Sequence, residues 1–176
     1  MTDLTEAEAL IGDDARAAIG MQLNHAEGTV RRLEFQRWAA AVGDRNPLYF
    51  DPEYAQAHGY RDVVAPPMYL PYIGGTVVDL AQLRPDGLTG RSGSGAVPLP
   101  KCPRRMAGGD EYSFHEPVYD GDVITSERRL VGLEPKVGRS GPFVLMRMHT
   151  TFIRGDGVLV GEVAGSLIAR PARQDG

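Results

Sequence analysis

Four segments in the second half of the chain are predicted to form β-strands, and two of them, 111–118 and 143–154, place apolar and polar residues on opposite sides as half-buried strands do. The predicted strands cover residues 111–118, 123–131, 143–154 and 158–169. In the third strand, Met146 and Met148 fall on one side, and Arg147 and His149 fall on the other. Turns that contain glycine join the segments, so the pattern predicts a run of antiparallel strands.

The first half of the chain has helical spacing instead. Thr5 and Glu8 have the spacing of a capping box, and Gly20 is placed to end the terminal helix that they begin. Residues 34–42 repeat apolar positions at helical intervals and predict a second helix. Residues 29–33 have the pattern of a short strand between these two helices.

A third and longer helix is predicted over residues 68–83, which are mostly apolar. Pro66 and Pro67 suit its first positions, where a missing N–H costs little. Gly74 and Gly75 leave room for a strand or a ligand to approach closely, and close packing of the sheet is the favoured explanation. We expect this helix to be buried on most sides.

Helices that come first and strands that follow them indicate an α+β domain, with a sheet curled around the apolar helix. The chain has 176 residues, which is long enough for one domain with a substantial core. The predicted division is a terminal helix at 1–20, one domain at 21–170 and a tail at 171–176.

Composition argues against several classes of function. The formal net charge of -4 argues against nucleic acid as the main partner, because phosphate binding needs a basic face. Cys102 is the only cysteine, which excludes a disulfide and a thiolate metal cluster. The start of the chain is acidic and lacks the apolar core of a signal peptide, and no apolar run approaches about 18 residues. We therefore expect a cytoplasmic protein without a membrane span.

Residues 84–105 are rich in proline and glycine and are predicted to form a long loop. Its end carries a basic cluster of Lys101, Arg104 and Arg105. Two interpretations stay open for this cluster, namely contact with a ligand phosphate and a solvated loop surface. No set of histidines, cysteines and carboxylates has the spacing of a metal site, and no cofactor fingerprint stands out, so neither a metal nor a cofactor is expected.

Several short motifs, taken together, resemble one enzyme family. The motifs are Gly43-Asp44-x-Asn46-Pro47-x-Tyr49-x-Asp51, Ala57-x-Gly59-Tyr60, Val64-Ala65-Pro66-Pro67, Phe114-His115-Glu116-Pro117-Val118-x-x-Gly121-Asp122 and Gly138-Arg139-Ser140-Gly141-Pro142. With them, the chain resembles the MaoC-like hydratase and dehydratase family over residues 20–170. The resemblance is to the branch of FAS1-like, or MaoC N-terminal, dehydratase domains.

This resemblance implies a hot-dog fold, in which an antiparallel sheet wraps around a central helix. It also implies acyl thioesters of coenzyme A (CoA) or of acyl carrier protein as substrates, and reversible addition of water across their double bond. In active members, an acid at the position of Asp44 and a histidine at the position of Tyr49 handle the water and its protons. A backbone N–H at the start of the central helix holds the thioester oxygen as it gains negative charge.

The chain departs from this family pattern at two positions that touch the chemistry. Tyr49 stands where the family has its histidine, and a phenol with an ordinary pKa of about 10 is a poor base at neutral pH. Pro67 stands where the family has the glycine whose N–H holds the thioester oxygen, and proline has no N–H. The two departures together indicate a half-site that has lost its catalytic role.

Three functions stay open. The first is the histidine-less subunit of an enoyl-thioester hydratase or dehydratase, in which a second hot-dog subunit supplies the intact residues. The second is a stand-alone enzyme that uses Asp44 with Tyr49, or with His115 in place of the family histidine. The third is a non-catalytic module that binds acyl-CoA. For the assembly, both a homodimer and a heterodimer with a second hot-dog subunit stay open. The candidate residues are Asp44 and Tyr49 for catalysis; Asn46, Ala65, Pro67 and Met68 for substrate binding; and Lys101, Arg104 and Arg105 for a CoA phosphate.

Overall fold

A computed structural model of the chain describes residues 2–75, 80–83, 85 and 96–172. The strands are β1, Gln22–Thr29; β2, Arg104–Phe114; β3, Val123–Gly138; β4, Gly141–Arg154; and β5, Leu159–Arg170. The α-helices are α1, Thr2–Glu8; α2, Asp13–Ala17; α3, Arg32–Ala41; and α4, Pro52–Ala57. Short 3-10 helices cover Pro47–Tyr49, Pro67–Tyr72 and Leu80–Gln82. Over the described ranges, no helix has the length and apolar character needed to cross a membrane.

The strands form one antiparallel sheet in the order β1-β3-β4-β5-β2. The last four strands in the chain are those predicted from the sequence, although β2 starts earlier and β3 ends later than expected. The register of β3 and β4 runs from the pair Ile124 and Arg154 to the pair Gly138 and Gly141, so these two strands form a long hairpin. The predicted run of antiparallel strands is confirmed.

Helix α3 packs against one face of this sheet, which we call the inner face. Phe35 and Ala39 of the helix are fully buried in the same core cluster as Ile124 and Phe152 of the sheet. The start of the helix is fixed by a distant turn, because the N–H of Arg32 donates to Oδ1 of Asp120 at 2.7 Å. Together with the strand order, this packing confirms the α+β hot-dog fold.

The terminal helix predicted from Thr5, Glu8 and Gly20 is divided into α1 and α2, so that prediction is wrong in its detail. Thr5 lies inside α1 instead of capping it. Gly12 is extended, with φ of -73° and ψ of 169°, and it precedes the first residue of α2. Ile11, at the break, is buried in a second core cluster with Leu130 and Met146 of the sheet.

Strand β1 was not predicted at its observed position. The expected strand at 29–33 lies at the far end of it, and Val30 is buried just after β1 ends. The exposed and half-buried residues of β1 do not alternate regularly, because β1 is an edge strand that pairs with β3 alone. Its hydrogen bonds to β3, instead of an apolar pattern, determine its place in the sheet.

The long helix predicted over 68–83 is also corrected. Its described part consists of the 3-10 helix Pro67–Tyr72 and the 3-10 helix Leu80–Gln82, while residues 76–79 lie outside the described ranges. Pro71 removes one N–H from the helical ladder. Gly74 then has φ of +74°, a left-handed conformation that a helix cannot contain. Tyr69, Leu70 and Ile73 of this segment are buried in the core, whereas Met68, Tyr72 and Leu80 are exposed.

Aromatic contacts hold the 3-10 helix Pro67–Tyr72 against α3. The ring centroids of Trp38 and Tyr69 are 6.0 Å apart, and those of Trp38 and Tyr72 are 5.6 Å apart. Such edge-on and tilted pairs stabilise contacts beyond the area that they bury. The inner layer over the sheet is therefore built from α3 and this short 3-10 helix together.

A close backbone contact joins the same segment to β1. A β-carbon placed on Gly28 would lie 2.4 Å from the nitrogen of Gly74, and one placed on Gly74 would lie 2.9 Å from the carbonyl carbon of Glu27. Only two glycines allow the backbones to approach so closely. This contact confirms close packing of the sheet as the reason for glycine at position 74.

Candidate functional site

The polar residues of the Asp44–Asp51 segment organise its backbone. Oδ1 of Asp44 accepts from the N–H of Asn46 at 3.1 Å, and Oδ1 of Asn46 accepts from the N–H of Leu48 at 3.1 Å. Oδ1 of Asp51 accepts from the N–H groups of Glu53 and Tyr54 at the start of α4. These side chains act as local turn and helix caps, which fixes the shape of the segment.

Tyr49 is brought next to Asp44 and Asn46 by this turn. Its side chain is buried, and its carbonyl accepts from Nε2 of Gln36 at 2.9 Å. Burial raises the pKa of the Tyr49 phenol, the negative charge of Asp44 raises it further, and a hydrogen bond with Asn46 opposes both. The phenol is therefore protonated at neutral pH, so Tyr49 can donate a hydrogen bond but cannot act as a base.

A cavity of about 380 Å³ opens beside Tyr49. Three segments form its walls, which are 46–49, 60–70 and 114–118. Backbone hydrogen bonds join them, since the N–H of Val64 donates to Leu48 at 3.1 Å and the N–H of Ala65 donates to Val118 at 2.8 Å. The walls are mainly apolar with a few polar groups, which is typical of a small-molecule site.

Not all of the candidate substrate-binding residues line this cavity. Asn46, Ala65 and Pro67 line it, whereas Met68 is not among the lining residues. The N–H of Ala65 is already bonded to Val118, and Pro67 has none to offer. Met68 therefore carries the first N–H after the two prolines, at the start of the 3-10 helix Pro67–Tyr72.

A histidine lies on the opposite wall of the cavity. Nε2 of His115 is 3.1 Å from Oε1 of Glu162, and Nε2 of His149 is 2.8 Å from Oε2 of the same carboxylate. The hydrogen bond with His149, and then that with His115, lower the pKa of Glu162. Two imidazoles thus share one carboxylate, and His115 is the one that reaches the cavity wall.

The basic cluster lies at the other end of β2. Nζ of Lys101 donates to the carbonyl of Ala9 at 2.8 Å, and Nη2 of Arg105 donates to the carbonyl of Val97 at 3.2 Å. Burial lowers the pKa of Arg105, whose side chain reaches the sulfur of Met146. Arg104 lines a separate recess. The structure therefore does not bring this cluster together with Asp44 and Tyr49.

Sequence reasoning did not assign several wall residues, among them Tyr60, Leu70 and Glu116. The signal for the third wall was present in the motif from Phe114 to Val118, whose place opposite Tyr49 depends on the fold. In the described part of the chain, no three side chains of the metal-binding types are arranged to hold a metal ion.

The chain is similar in sequence to a family model and to known proteins. A family model described as "FAS1-like, dehydratase domain region" matches residues 17–163. A UPF0336 protein of Saccharopolyspora erythraea is 28% identical over 150 residues, which are 83% of this chain and 84% of that protein. The 3-oxo-4,17-pregnadiene-20-carboxyl-CoA hydratase alpha subunit of Mycobacterium tuberculosis is 34% identical over 85 residues, which are 48% of this chain and 25% of that subunit.

Solved structures show the same architecture. A chain of the ChsH1-ChsH2 complex from Mycobacterium tuberculosis is similar with a TM-score of 0.72 and 24% sequence identity. The match covers 99% of this chain and 95% of that chain. The similarity therefore extends over nearly the whole chain.

Proposed function

Because the chain belongs to the family of FAS1-like dehydratase domain regions, we propose that it acts on acyl thioesters of CoA or of a carrier protein. In this proposal, the chain is one subunit of an enoyl-thioester hydratase or 3-hydroxyacyl-thioester dehydratase. A second hot-dog subunit supplies the acid and the histidine that carry out the proton transfers.

The observation that carries this proposal is the cavity beside Tyr49. Its walls include Tyr49 and Pro67, which stand at the positions of the family's histidine and oxyanion glycine, and Asn46, a substrate-binding candidate, among mainly apolar groups suited to an acyl chain. Asp44, at the position of the family's acid, is not among the lining residues. Tyr49 retains a hydrogen-bond donor there, but its raised pKa prevents it from taking a proton from water. The site can thus hold a thioester while it lacks a base at the family's position.

The expected cost to catalysis is large. Loss of a histidine acid or base reduces the rate by about 10²–10⁴-fold, and loss of one oxyanion donor reduces it by about 10²–10³-fold. Oδ1 of Asp44 accepts from the N–H of Asn46, which gives this carboxylate a role in the turn. An isolated chain with these features is expected to have little hydratase activity.

Two of the similar proteins support the proposal of a second subunit. The similar solved structure is a complex of two different chains, and one curated relative is the alpha subunit of a CoA-thioester hydratase. Both observations favour a heteromeric assembly for this chain, in which this cavity helps to shape the acyl site.

The test is hydration of a trans-2-enoyl-CoA, followed by loss of the conjugated enoyl absorbance. The chain alone is compared with the same chain co-expressed with a hydratase paralogue that contains the intact Asp-x-Asn-Pro-x-His motif. We expect turnover of the copurified complex and little turnover by the chain alone. Rapid hydration by the chain alone that is lost in Asp44→Asn would contradict the proposal.

A second candidate is a stand-alone enzyme, and His115 is the observation that favours it. Histidine is the commonest general acid or base, and His115 lies on the wall opposite Tyr49 with its ring oriented by Glu162. His149 provides a matched control, because it bonds the same carboxylate but does not line the cavity. Activity of the chain alone that falls at least about 100-fold in His115→Gln, but not in His149→Gln, would favour this candidate.

A non-catalytic binding module gives a third pattern in the same experiments. Acyl-CoA would bind to the chain, neither the chain nor the complex would turn it over, and Asp44→Asn would leave binding unchanged. The three functions are therefore separated by one assay, one binding titration and three single-residue variants.

A further inference from the structure

A recess of about 610 Å³ lies at the end of the sheet remote from the cavity. Arg104 and Arg170 line it together with Ser140 and Glu6. Arg104 begins β2 and Phe114 ends it, and a rise of about 3.3 Å per residue separates the recess from the cavity by roughly 30 Å. The recess is therefore distinct from the site that the proposed hydratase reaction uses.

Arg104 and Arg170 are direct cross-strand partners in the pairing of β2 with β5. Their side chains therefore leave the same face of the sheet, with β-carbons about 5 Å apart. Like charges at this spacing destabilise a strand pair unless a counter-charge lies between them. Glu6 lines the recess but forms no ion pair with either arginine, and no other carboxylate in the described ranges does so.

Burial distinguishes Arg104 from comparable arginines. Arg104 is half-buried, and its side chain has no hydrogen-bond or ion-pair partner within the described residues. The other arginines of those ranges whose side chains lack a partner are all exposed, namely Arg16, Arg31, Arg37, Arg45 and Arg139. A half-buried charge without a counter-ion is unfavourable, so this arrangement favours a bound anion.

Arg170 is already oriented for such a ligand. Its Nη1 donates to the carbonyl of Ser140 at 3.4 Å, and its guanidinium carbon lies 5.0 Å from the centre of the Phe143 ring. These contacts restrict the side chain before a ligand arrives and leave its other N–H groups available. A guanidinium fork matches the oxygens of a phosphate group in geometry and in charge.

We propose that this recess binds a phosphate group, either inorganic phosphate or a phosphate monoester. A phosphate monoester carries a charge of about -1.5 to -2 at neutral pH and has three oxygens, so it can accept hydrogen bonds from both guanidinium groups. Ser140 contributes its backbone carbonyl, which accepts from Arg170 and restricts that side chain.

The test is a titration of the full chain with inorganic phosphate at constant ionic strength, followed by calorimetry and by thermal unfolding. We expect saturable binding and a rise of the unfolding midpoint with phosphate concentration. Arg104→Gln and Arg170→Gln should each weaken binding at least tenfold. Arg139→Gln is the matched control, because it removes an exposed arginine from the turn beside Ser140 and should leave binding unchanged.

A second readout needs no ligand. In phosphate-free buffer, Arg104→Gln should raise the unfolding midpoint, since it removes one of two opposed like charges. Non-saturable binding, or equal weakening in Arg139→Gln, would overturn the proposal and indicate a general effect of positive charge. An unchanged affinity in both Arg104→Gln and Arg170→Gln would overturn it as well.

Two further probes, CoA and dephospho-CoA, distinguish a phosphate monoester from inorganic phosphate as the ligand. CoA carries a phosphate monoester on its ribose, and dephospho-CoA lacks it. If CoA binds at least tenfold more tightly than dephospho-CoA, and Arg104→Gln removes the difference, the ligand is a monoester. If inorganic phosphate saturates the recess and the two nucleotides bind equally, the ligand is free phosphate. These outcomes do not depend on hydratase activity.

Discussion

The charge of Asp44 and the acidity of Tyr49 are coupled within one turn. We expect Asp44→Asn to lower the pKa of the Tyr49 phenol, because the substitution removes a negative charge that disfavours the phenolate. The asparagine oxygen can still accept from the N–H of Asn46, so the turn should be retained. The measurement is phenolate absorbance as a function of pH. The Tyr49→Phe variant identifies which part of the absorbance change belongs to Tyr49. A pKa that stays the same or rises would contradict the coupling.

Glu162 makes stability depend on pH in the acid range. Its carboxyl pKa is lowered in the folded chain, chiefly by His149 and then by His115. The resulting stability is present above the ordinary glutamate pKa of about 4.3 and is lost as pH falls through the lowered value. We therefore expect Glu162→Gln to lose less stability than the unmodified chain as pH falls through that window.

Urea unfolding at a series of pH values measures this difference. Glu111→Gln is a suitable control, because Glu111 is an exposed glutamate on the neighbouring strand without an ion pair in the described ranges. If Glu162→Gln and Glu111→Gln had the same pH dependence, the paired histidines would have no effect on stability.

Among individual residues, the sequence predicted the Asp44–Asp51 turn better than the cavity wall that contains His115. Asp44, Asn46 and Tyr49 are close in the chain, so their proximity follows from local turn chemistry. His115 and Glu162 are far apart in sequence and meet only through the pairing of β2 with β5, where Ser113 is opposite Glu162. A strand shift of one residue would separate them, so their contact could not be predicted without the register.

Helix α3 illustrates how one element depends on another. Its first N–H donates to Oδ1 of Asp120 in the turn before β3, while Arg31 at the cap position makes no side-chain cap. We expect Asp120→Ala to lower the free energy of unfolding by about 1 kcal/mol, as for loss of an N-cap. Asp120→Asn retains an acceptor and should lose less. Equal losses in urea unfolding would show that charge, instead of the cap, is what matters.

Elements were predictable where their own residues determine them. Strand β4 alternates regularly between buried and less buried residues, because one of its faces is buried against the core. Strand β1 is defined by hydrogen bonds to β3, and the segment after Pro67 is apolar because Tyr69, Leu70 and Ile73 enter the core. Neither cause gives a periodic pattern, so the position of β1 and the shortened helix could not be predicted from spacing.

The cavity and the recess lie at opposite ends of strand β2. The cavity with Tyr49 lies beside the carboxyl end of β2, and the recess with Arg104 lies beside its start. Between them, α3 and the 3-10 helix Pro67–Tyr72 cover the inner face. The position of that cover depends on the contact of Gly28 with Gly74.

A single methyl group tests this contact. We expect Gly28→Ala to lower the free energy of unfolding by about 1–3 kcal/mol, because its β-carbon would lie 2.4 Å from the backbone nitrogen of Gly74. Gly132→Ala is the control, since a β-carbon there would meet Arg147 at an ordinary distance of 3.7 Å. Urea unfolding of both variants provides the comparison, and equal stability would contradict the close contact.

The same contact restricts how this protein can change over evolutionary time. When two side chains clash, trimming the partner can restore the fit, but neither Gly28 nor Gly74 has a side chain to trim. A substitution at either position therefore has no simple second-site suppressor at the other. Gly74 lies four residues after Leu70, the last wall residue of this segment, so the shape of the cavity depends on retaining both glycines.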